Sequence, residues 1–249
     1  MVSKSKIKFV NSLQIKKYRY SEQCFIVQGH KTILETIQSD YQIVELFGTK
    51  EFISSIEILL NERSLKDVSI VSERELISLG SIESNQSGLA VVKMKPPVPY
   101  FEPAIGYTLV LDKIRDPGNL GSIIRTADWF GIKEIIASPS VVDMYNPKVI
   151  NATMGSFLRI NILYTSLPEF LANRTLPIYG AFLNGENVHS YQFKKAGFII
   201  FGNESQGISP DLHKFISHRI SIPRVGKAES LNVAQATAIV LDNLRRQGS

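Results

Sequence analysis

The side chains best suited to chemistry stand in three polar loops, each next to an apolar segment of the chain. The first loop carries Asn119 and leads to Arg125, the second carries Glu204, and the third carries Ser230 and Asn232. A guanidinium stays protonated in proteins, so Arg125 can bind an anion and stabilise negative charge but is a poor proton acceptor. A carboxylate can accept a proton, and amides or hydroxyls can orient a reacting group. These residue types therefore suit proton removal and charge stabilisation.

The first loop belongs to the stretch "DKIRDPGNLGSIIRTADWFG", from Asp112 to Gly131. Gly118 and Gly121 predict a tight turn, and a helix is expected to begin near Ser122, about one turn before Arg125. The arginine would then lie opposite the apolar face of that helix. The glycine spacing matches neither a dinucleotide-binding fingerprint nor a phosphate-binding P-loop. Taken alone, the stretch favours a plain turn that carries Asn119 and a surface Arg125 over a functional site.

The second and third loops also depart from ordinary connections. In "FIIFGNESQGIS", an apolar strand runs directly into Gly202, and Gly207 follows, so that backbone can approach a ligand closely or take positive φ. Glu204 is then either a common helix-start acid or a functional group at the mouth of a sheet. In "IPRVGKAESLN", Ser230 and Asn232 both precede a helical pattern, although one capping residue is enough.

Charge and composition favour an acidic partner. The 249-residue chain has a formal net charge of +5, from 28 basic and 23 acidic residues. No acid occurs between Met1 and Ser21, and the basic residues of this segment are Lys4, Lys6, Lys8, Lys16, Lys17 and Arg19. The segment is either a solvated, frayed terminus or an arm that contacts phosphates. Nucleic acid is therefore the first class of partner to consider.

Cys24 is the only cysteine, which excludes an intrachain disulfide and disfavours a zinc site. This composition suits the reducing cytoplasm. No apolar run reaches the roughly 18 residues of a membrane helix, and the basic N-terminus lacks the apolar stretch of a signal peptide. The sequence therefore predicts a cytoplasmic protein without a membrane partner.

The sharpest change of composition is the proline-rich stretch "KMKPPVPYFEP". We expect a linker at residues 96–103 that separates a domain over 1–95 from one over 104–249. Short strands and helices alternate before the linker, which predicts a small α/β/α unit. After it, nearly continuous apolar strands alternate with helices, which predicts a parallel sheet covered on both faces. Ligands of such sheets bind at the carboxyl ends of the strands, where the three loops stand.

Together the loops read N-x-G-x-x-x-R-T-A, then G-N-E-x-x-G-I, then I-P-x-x-G-x-x-x-S-L-N-V-x-x-A. This order resembles the SpoU/TrmH family of RNA 2′-O-ribose methyltransferases in the SPOUT class, over residues 106–246. The stretch "KKYRYSEQCFIVQGHKTILETI" is similar to the opening of the family's substrate-binding domain, a small fold that resembles a ribosomal RNA-binding protein. The resemblance implies a deep trefoil knot in the C-terminal domain.

The resemblance also implies S-adenosylmethionine as cofactor and roles for particular residues, with no metal. Arg125 is implied as the central catalytic residue, together with Asn119, Glu204, Ser230 and Asn232. The residues implied to bind the cofactor are Leu183, Gly202, Asn203, Ile222, Pro223 and Leu231. Ser230 and Asn232 would both be needed because one helix start must be capped while polar groups are held near the methyl acceptor.

Partners follow from the same resemblance: RNA, with ribosomal RNA favoured over transfer RNA, and a second copy of the chain, whose arginine would lie near the first copy's cofactor. Two alternatives remain open. The chain could be a non-catalytic RNA-binding or ribosome-assembly protein with a relic pocket, or a related enzyme that methylates a base. Trp129, the only tryptophan, is expected to pack its helix, with stacking on RNA as the alternative.

Overall fold

The structure, a computed structural model, describes residues 2–80 and 85–246. The chain divides into two compact units, each built from two stretches: Met1–Pro96 with Asp143–Leu158, and Pro97–Val142 with Arg159–Ser249. The sequence-based boundary leaves the 143–158 segment in the second domain, whereas its side chains Ile150 and Phe157 belong to the apolar core of the first unit. The periodicity of apolar residues does not indicate that the chain rejoins the first unit at residues 143–158.

Both units alternate helices with strands. The helices are α1 Lys4–Ser12, α2 Lys16–Glu22, α3 His30–Gln38, α4 Lys50–Ser55, α5 Glu57–Glu62, α6 Glu73–Leu79, α7 Pro117–Trp129, α8 Pro147–Thr153, α9 Leu167–Ala172 and α10 Val233–Arg246. The strands are β1 Cys24–Gln28, β2 Ile43–Gly48, β3 Val68–Ile70, β4 Gly88–Lys93, β5 Gly106–Leu111, β6 Glu134–Ala137, β7 Asn161–Tyr164, β8 Ile178–Asn187, β9 Ala196–Phe201 and β10 His218–Ser221.

The sheet of the first unit has the strand order β1-β4-β2-β3. β4 is antiparallel to both of its neighbours, and β2 and β3 are parallel. Alternate residues of β1 point to opposite faces, as a strand requires. Phe25 packs with Ile33 of α3 on one face, while Ile26 packs with Leu76 of α6 and Val10 of α1 on the other. The sheet is covered on both sides, so the predicted α/β/α unit is confirmed.

The basic N-terminus is not frayed, because it forms the two helices α1 and α2. Val10 and Leu13 lie in the apolar core. Arg19 is 1 % exposed, and its guanidinium donates to the Asp143 carboxylate and to the backbone oxygens of Leu13 and Gln14. Arg19 therefore cannot serve as the phosphate contact that an N-terminal arm would offer.

The sheet of the second unit has the strand order β10-β8-β9-β5-β6-β7, and every neighbouring pair is parallel. All six residues of β9 are buried, and α7 packs against α10. An apolar cluster that includes Val110, Phe198 and Leu167 joins the central strands to α9. The predicted parallel-sheet α/β domain is therefore confirmed, while the trefoil knot stays a prediction.

Strand β8 carries an irregularity that matters for the site. Arg219 of β10 pairs with Gly180, but the next residue, Ile220, pairs with Glu186. Residues 181–185 are therefore looped out of the ladder, and the side chain of Leu183 is 71 % exposed. Such an insertion re-aims side chains away from the sheet.

Three elements after the linker that the sequence did not predict, β7, α8 and α9, are short. Strand β7 shows one exposed and three partly buried residues, without the continuous apolar run of the central strands, and α8 and α9 have seven and six residues. None of the helices in the described ranges is both long enough and apolar enough to cross a membrane.

Candidate active site

The three loops meet because the strands that precede them are parallel neighbours or near neighbours. β5 ends at Leu111, β9 ends at Phe201, and these two residues are register partners. β10 ends at Ser221, two strands from β9 in the same sheet. The carboxyl ends of parallel strands share one edge, so the loops that follow them lie at a common mouth.

Helix α7 begins five residues earlier than the sequence predicts. Pro117 is its first residue, and the Asp116 side chain accepts the backbone N–H of Asn119 at 2.8 Å. Proline at the first position and an aspartate cap together start a helix there. The expected start near Ser122 is therefore wrong: Asn119 lies in the first turn, and Arg125 lies in the third.

Arg125 lies on the exposed side of α7, as predicted, away from the buried residues Ile123, Ile124 and Ala127. Trp129 follows one turn later and is 85 % exposed. The expectation that Trp129 packs the helix is wrong, because a residue four positions after an exposed one shares its face.

A directed chain of hydrogen bonds joins the three loops. Asn119 Nδ2 donates to Glu204 Oε1, and Asn119 Oδ1 accepts the Asn232 Nδ2–H group at 2.8 Å. Asn232 Oδ1 in turn accepts the backbone N–H of Ala234 at 2.9 Å, at the start of α10. An ionised carboxylate only accepts hydrogen bonds, so Glu204 fixes the orientation of both amides. Asn232 thereby caps a helix and braces the site, while the Ser230 side chain is exposed.

The loop after β9 is a tight backbone turn. Asn203 and Gly207 exchange backbone hydrogen bonds of 3.1 and 2.8 Å. The Asn203 side chain accepts the backbone N–H of Ser205 at 2.9 Å and donates to the backbone oxygen of Lys113 at 3.2 Å. Gly207 has φ +68°, a conformation that favours glycine. A Cβ on Gly202 would lie 2.2 Å from the Gly207 carbonyl carbon, so this turn closes only around glycine.

A buried carboxylate ties this turn to β5. Asp112 is 3 % exposed. Its backbone N–H donates to the backbone oxygen of Phe201, and its Oδ2 accepts the backbone N–H of Ser209 at 2.8 Å. Asp112 thus holds both ends of the turn that carries Glu204. The sequence alone does not distinguish Asp112, because an acid that follows an apolar strand forms no characteristic pattern.

A cavity of about 670 Å³ opens at this mouth. Eight of the residues expected to act in catalysis or cofactor binding line it: Leu183, Gly202, Asn203, Glu204, Ile222, Pro223, Ser230 and Leu231. Asn119 and Asn232 lie outside the lining but are hydrogen-bonded to Glu204 or to each other. Arg125, by contrast, lies outside the lining and takes no part in this chain of hydrogen bonds.

Among the lining residues that the sequence did not predict, Phe182, His213 and Arg219 lie close together. The ring of Phe182 lies edge-on to His213, with centroids 5.3 Å apart, and the Arg219 guanidinium carbon lies 4.6 Å from the Phe182 centroid. In the sequence, Phe182 and Arg219 are simply members of apolar strands, so no sequence pattern indicates that they line a cavity. Within the described ranges, no three His, Cys, Asp or Glu side chains approach closely enough to hold a metal ion.

Comparison with known proteins agrees with this fold. The SpoU rRNA Methylase family matches residues 106–242, more than half of the chain, and an MRM3-like substrate binding domain matches residues 4–90. The chain belongs to the SpoU rRNA methylase family, which confirms the resemblance drawn from the three loops.

Similar proteins cover nearly the full length. The 23S rRNA (guanosine(2553)-2′-O)-methyltransferase RlmP of Bacillus subtilis is 29 % identical over 245 residues, 96 % of each chain. A protein of the TrmH family from Porphyromonas gingivalis shares 33 % identity, with a TM-score of 0.86 over 99 % of both chains. An AdoMet-bound rRNA methyltransferase from Sinorhizobium meliloti shares 27 % identity with a TM-score of 0.88, over 99 % of this chain and 97 % of that one.

Proposed function

We propose that this protein is an S-adenosylmethionine-dependent RNA methyltransferase that modifies a ribose 2′-hydroxyl, with ribosomal RNA rather than transfer RNA as substrate. The observation that carries the proposal is the cavity at the carboxyl edge of the parallel sheet, lined by all six residues expected to bind the cofactor. The rRNA 2′-O-methyltransferase of Bacillus subtilis and the AdoMet-bound neighbour support both the substrate and the cofactor.

The residues at the cavity fit S-adenosylmethionine. The volume of the cavity lies within the roughly 300–1,000 Å³ that small-molecule sites occupy. Leu183, Ile222 and Leu231 offer apolar surface for a planar base, and the glycine turn at Gly202 brings backbone close enough to bind polar edges. When bound, the cofactor supplies a methyl group on a positively charged sulfur.

The protein must then hold a ribose hydroxyl in line and receive its proton. Arg125 stays charged and binds the phosphate beside the target ribose, where it stabilises negative charge on the 2′-oxygen. The new O–C bond replaces the S–C bond, and the hydroxyl proton passes to Glu204, to a phosphate oxygen or to water. Asn119 holds the Glu204 carboxylate in place, and Asn232 holds Asn119.

We further propose a homodimer in which Arg125 serves the cavity of the partner. Two observations support this arrangement: Arg125 does not line the cavity of its own chain, and Trp129 beside it is 85 % exposed. A large exposed aromatic side chain is typical of a contact surface. Ser230, exposed at the cavity rim, would contact the methyl acceptor.

The cofactor is tested by calorimetric titration of S-adenosylmethionine and S-adenosylhomocysteine into wild-type protein and Leu231→Arg. Ile105→Arg is the matched control, because Ile105 is 77 % exposed in the same unit and lies outside the cavity lining. Saturable binding that only Leu231→Arg abolishes supports the cofactor site. Absence of binding by the folded wild-type protein, with and without RNA, leaves the relic-pocket alternative.

The reaction is tested with labelled S-adenosylmethionine and an unmodified transcript of Bacillus subtilis 23S rRNA, beside an unmodified tRNA pool. The expected result is label in 2′-O-methylated nucleosides of the transcript. Label in a methylated base would contradict ribose methylation and support the alternative enzyme that methylates a base. A Glu204→Gln variant that loses transfer at unchanged cofactor affinity assigns the proton to Glu204. Loss of cofactor affinity alone rules that role out.

A further inference from the structure

Helix α2 is unusual because it buries almost nothing. Six of its seven residues are exposed, and the single buried one is Arg19, at 1 % exposure. Ile15, immediately before the helix, is also 55 % exposed. A helix of a soluble protein ordinarily holds its place by an apolar stripe. α2 lacks one, so its position depends mainly on the buried Arg19.

Arg19 fixes the helix firmly. Its Nε and Nη2 donate to Asp143 Oδ2 at 3.1 and 2.6 Å, and its Nη1 donates to the backbone oxygens of Leu13 and Gln14 at 3.0 and 2.9 Å. Taking a guanidinium and a carboxylate out of water is costly, and only well-formed partners offset that cost. The result is a helix that is anchored through Arg19 and whose remaining residues are wholly or partly exposed.

That surface is basic and aromatic. Lys16 and Lys17 are exposed, Tyr18 is 42 % and Tyr20 44 % exposed, and no acid precedes Glu22. The Lys16 ammonium lies 5.5 Å from the Tyr20 ring centroid. Lysines beside exposed aromatic rings match the phosphates and bases of single-stranded nucleic acid, since the charges follow the backbone and the rings stack on bases.

Tyr20 is held rather than free to rotate. Its hydroxyl donates to Asp143 Oδ1 at 3.2 Å, so the same carboxylate anchors Arg19 and Tyr20. Burial and the Asp143 charge raise the pKa of Tyr20 to about 12, so the hydroxyl keeps its proton at physiological pH. A ring fixed in this way loses little conformational entropy when it binds.

We propose that the exposed face of α2, formed by Lys16, Lys17, Tyr18 and Tyr20 and here termed the α2 platform, binds single-stranded RNA of the substrate. The inference rests on the proposed function, because it takes RNA as the substrate. The platform adds affinity at a surface that contains none of the cavity residues. An acidic protein would match the lysines but gives no reason for two exposed tyrosines.

The test measures binding of the unmodified Bacillus subtilis 23S rRNA transcript by filter retention at several salt concentrations. The variant Lys16→Ala/Lys17→Ala is compared with Lys194→Ala/Lys195→Ala, a second pair of adjacent exposed lysines outside the platform. Loss of two phosphate contacts lowers the slope of log affinity against log salt by about 1.4, and the control leaves it unchanged. Tyr18→Ala weakens binding about tenfold with little change in that slope, because stacking is not ionic.

Equal RNA affinity and equal salt slope in the two lysine variants would overturn the platform, as would failure of the wild-type protein to bind the transcript. Calorimetric titration of S-adenosylmethionine separates the two proposals, because every platform variant keeps wild-type cofactor affinity. Loss of RNA binding by Lys16→Ala/Lys17→Ala, without methyl transfer by the wild type, supports the platform and contradicts the proposed reaction alone.

Discussion

Asn119 is the residue on which the geometry of the candidate site depends. Its amide donates to the Glu204 carboxylate and accepts from Asn232, so one side chain joins the loop after β9 to the start of α10. This position requires a side chain with one hydrogen-bond donor and one acceptor, and the short amide of asparagine provides both.

Replacing Asn119 by aspartate should therefore be worse than replacing it by alanine. The new carboxylate would face Glu204, and two like charges at hydrogen-bond distance repel. We expect Asn119→Asp to lower methyl transfer at least about a hundredfold, as misplacement by an ångström can do. Initial rates and calorimetric cofactor affinity measure the effect.

The double variant Asn119→Asp/Glu204→Gln provides the control. The amide introduced at position 204 would donate to the carboxylate introduced at position 119, and that carboxylate would still accept from Asn232. Only the hydrogen bond between residues 119 and 204 therefore changes its direction. Cofactor affinity should recover relative to Asn119→Asp. A double variant as weak as the single one would contradict the directed hydrogen-bond chain.

A second prediction at the scale of single residues concerns the glycines that line the cavity. Gly202→Ala would place a Cβ 2.2 Å from backbone, whereas a Cβ on Gly226 meets nothing within 4 Å. We expect Gly202→Ala to abolish measurable cofactor binding and Gly226→Ala to leave it within a few-fold of wild type. Equal affinities in the two variants would show that the turn after β9 does not shape the site.

At the scale of elements, α7 shows what the sequence could and could not define. The loop motif, the buried face and the exposed Arg125 followed from spacing, but the helix start did not. Gly118 and Gly121 suggested a turn, whereas the Asp116 cap and Pro117 begin the helix before them. Likewise, Phe182 and Arg219 line the cavity where β8 pairs irregularly with β10, and no local sequence pattern predicts that irregularity.

The anchoring of α2 yields a prediction for stability. Asp143→Ala would leave the buried Arg19 guanidinium without its carboxylate, at a cost of about 3–5 kcal/mol in the free energy of unfolding. Asp128→Ala removes a carboxylate that pairs with the more exposed Arg159 and should cost about 1 kcal/mol or less. Urea unfolding followed by circular dichroism compares the two.

The double variant Arg19→Met/Asp143→Leu distinguishes a lost ion pair from lost packing. Because it leaves no unpaired buried charge, it should be more stable than Asp143→Ala. Single variants of Asp143 and Asp128 with the same stability would contradict the anchoring role.

At the scale of the whole molecule, the α/β/α layers of the first unit and the parallel sheet of the second could be predicted, because apolar runs indicate how strands and helices are covered. The membership of the 143–158 segment could not, since Ile150 and Phe157 read as ordinary apolar residues in either unit. Nor does any run along the chain specify a knot, which depends on the path of the chain and not on local preference.

Subunit mixing tests the proposed dimer. Arg125→Ala keeps an intact cavity, and Leu231→Arg keeps the arginine, so each homodimer should be inactive. Random re-association should restore about one quarter of wild-type activity, because half of the dimers are heterodimers and each has one complete site. Light scattering on a sizing column should give twice the mass of one chain. A monomer, or no activity after mixing, would contradict an arginine supplied by the partner.

The discontinuity of the first unit has a consequence for biosynthesis. Its N-terminal stretch leaves the ribosome first, yet Phe25 and Tyr41 are packed against Phe157, which is made only after β5 and β6 of the second unit. The aromatic core of the first unit can therefore be completed only after Phe157 has been made, when the first strands of the second unit already exist. A fragment that stops at the linker would lack Phe157, so Phe25 and Tyr41 would lose the aromatic ring that they pack against.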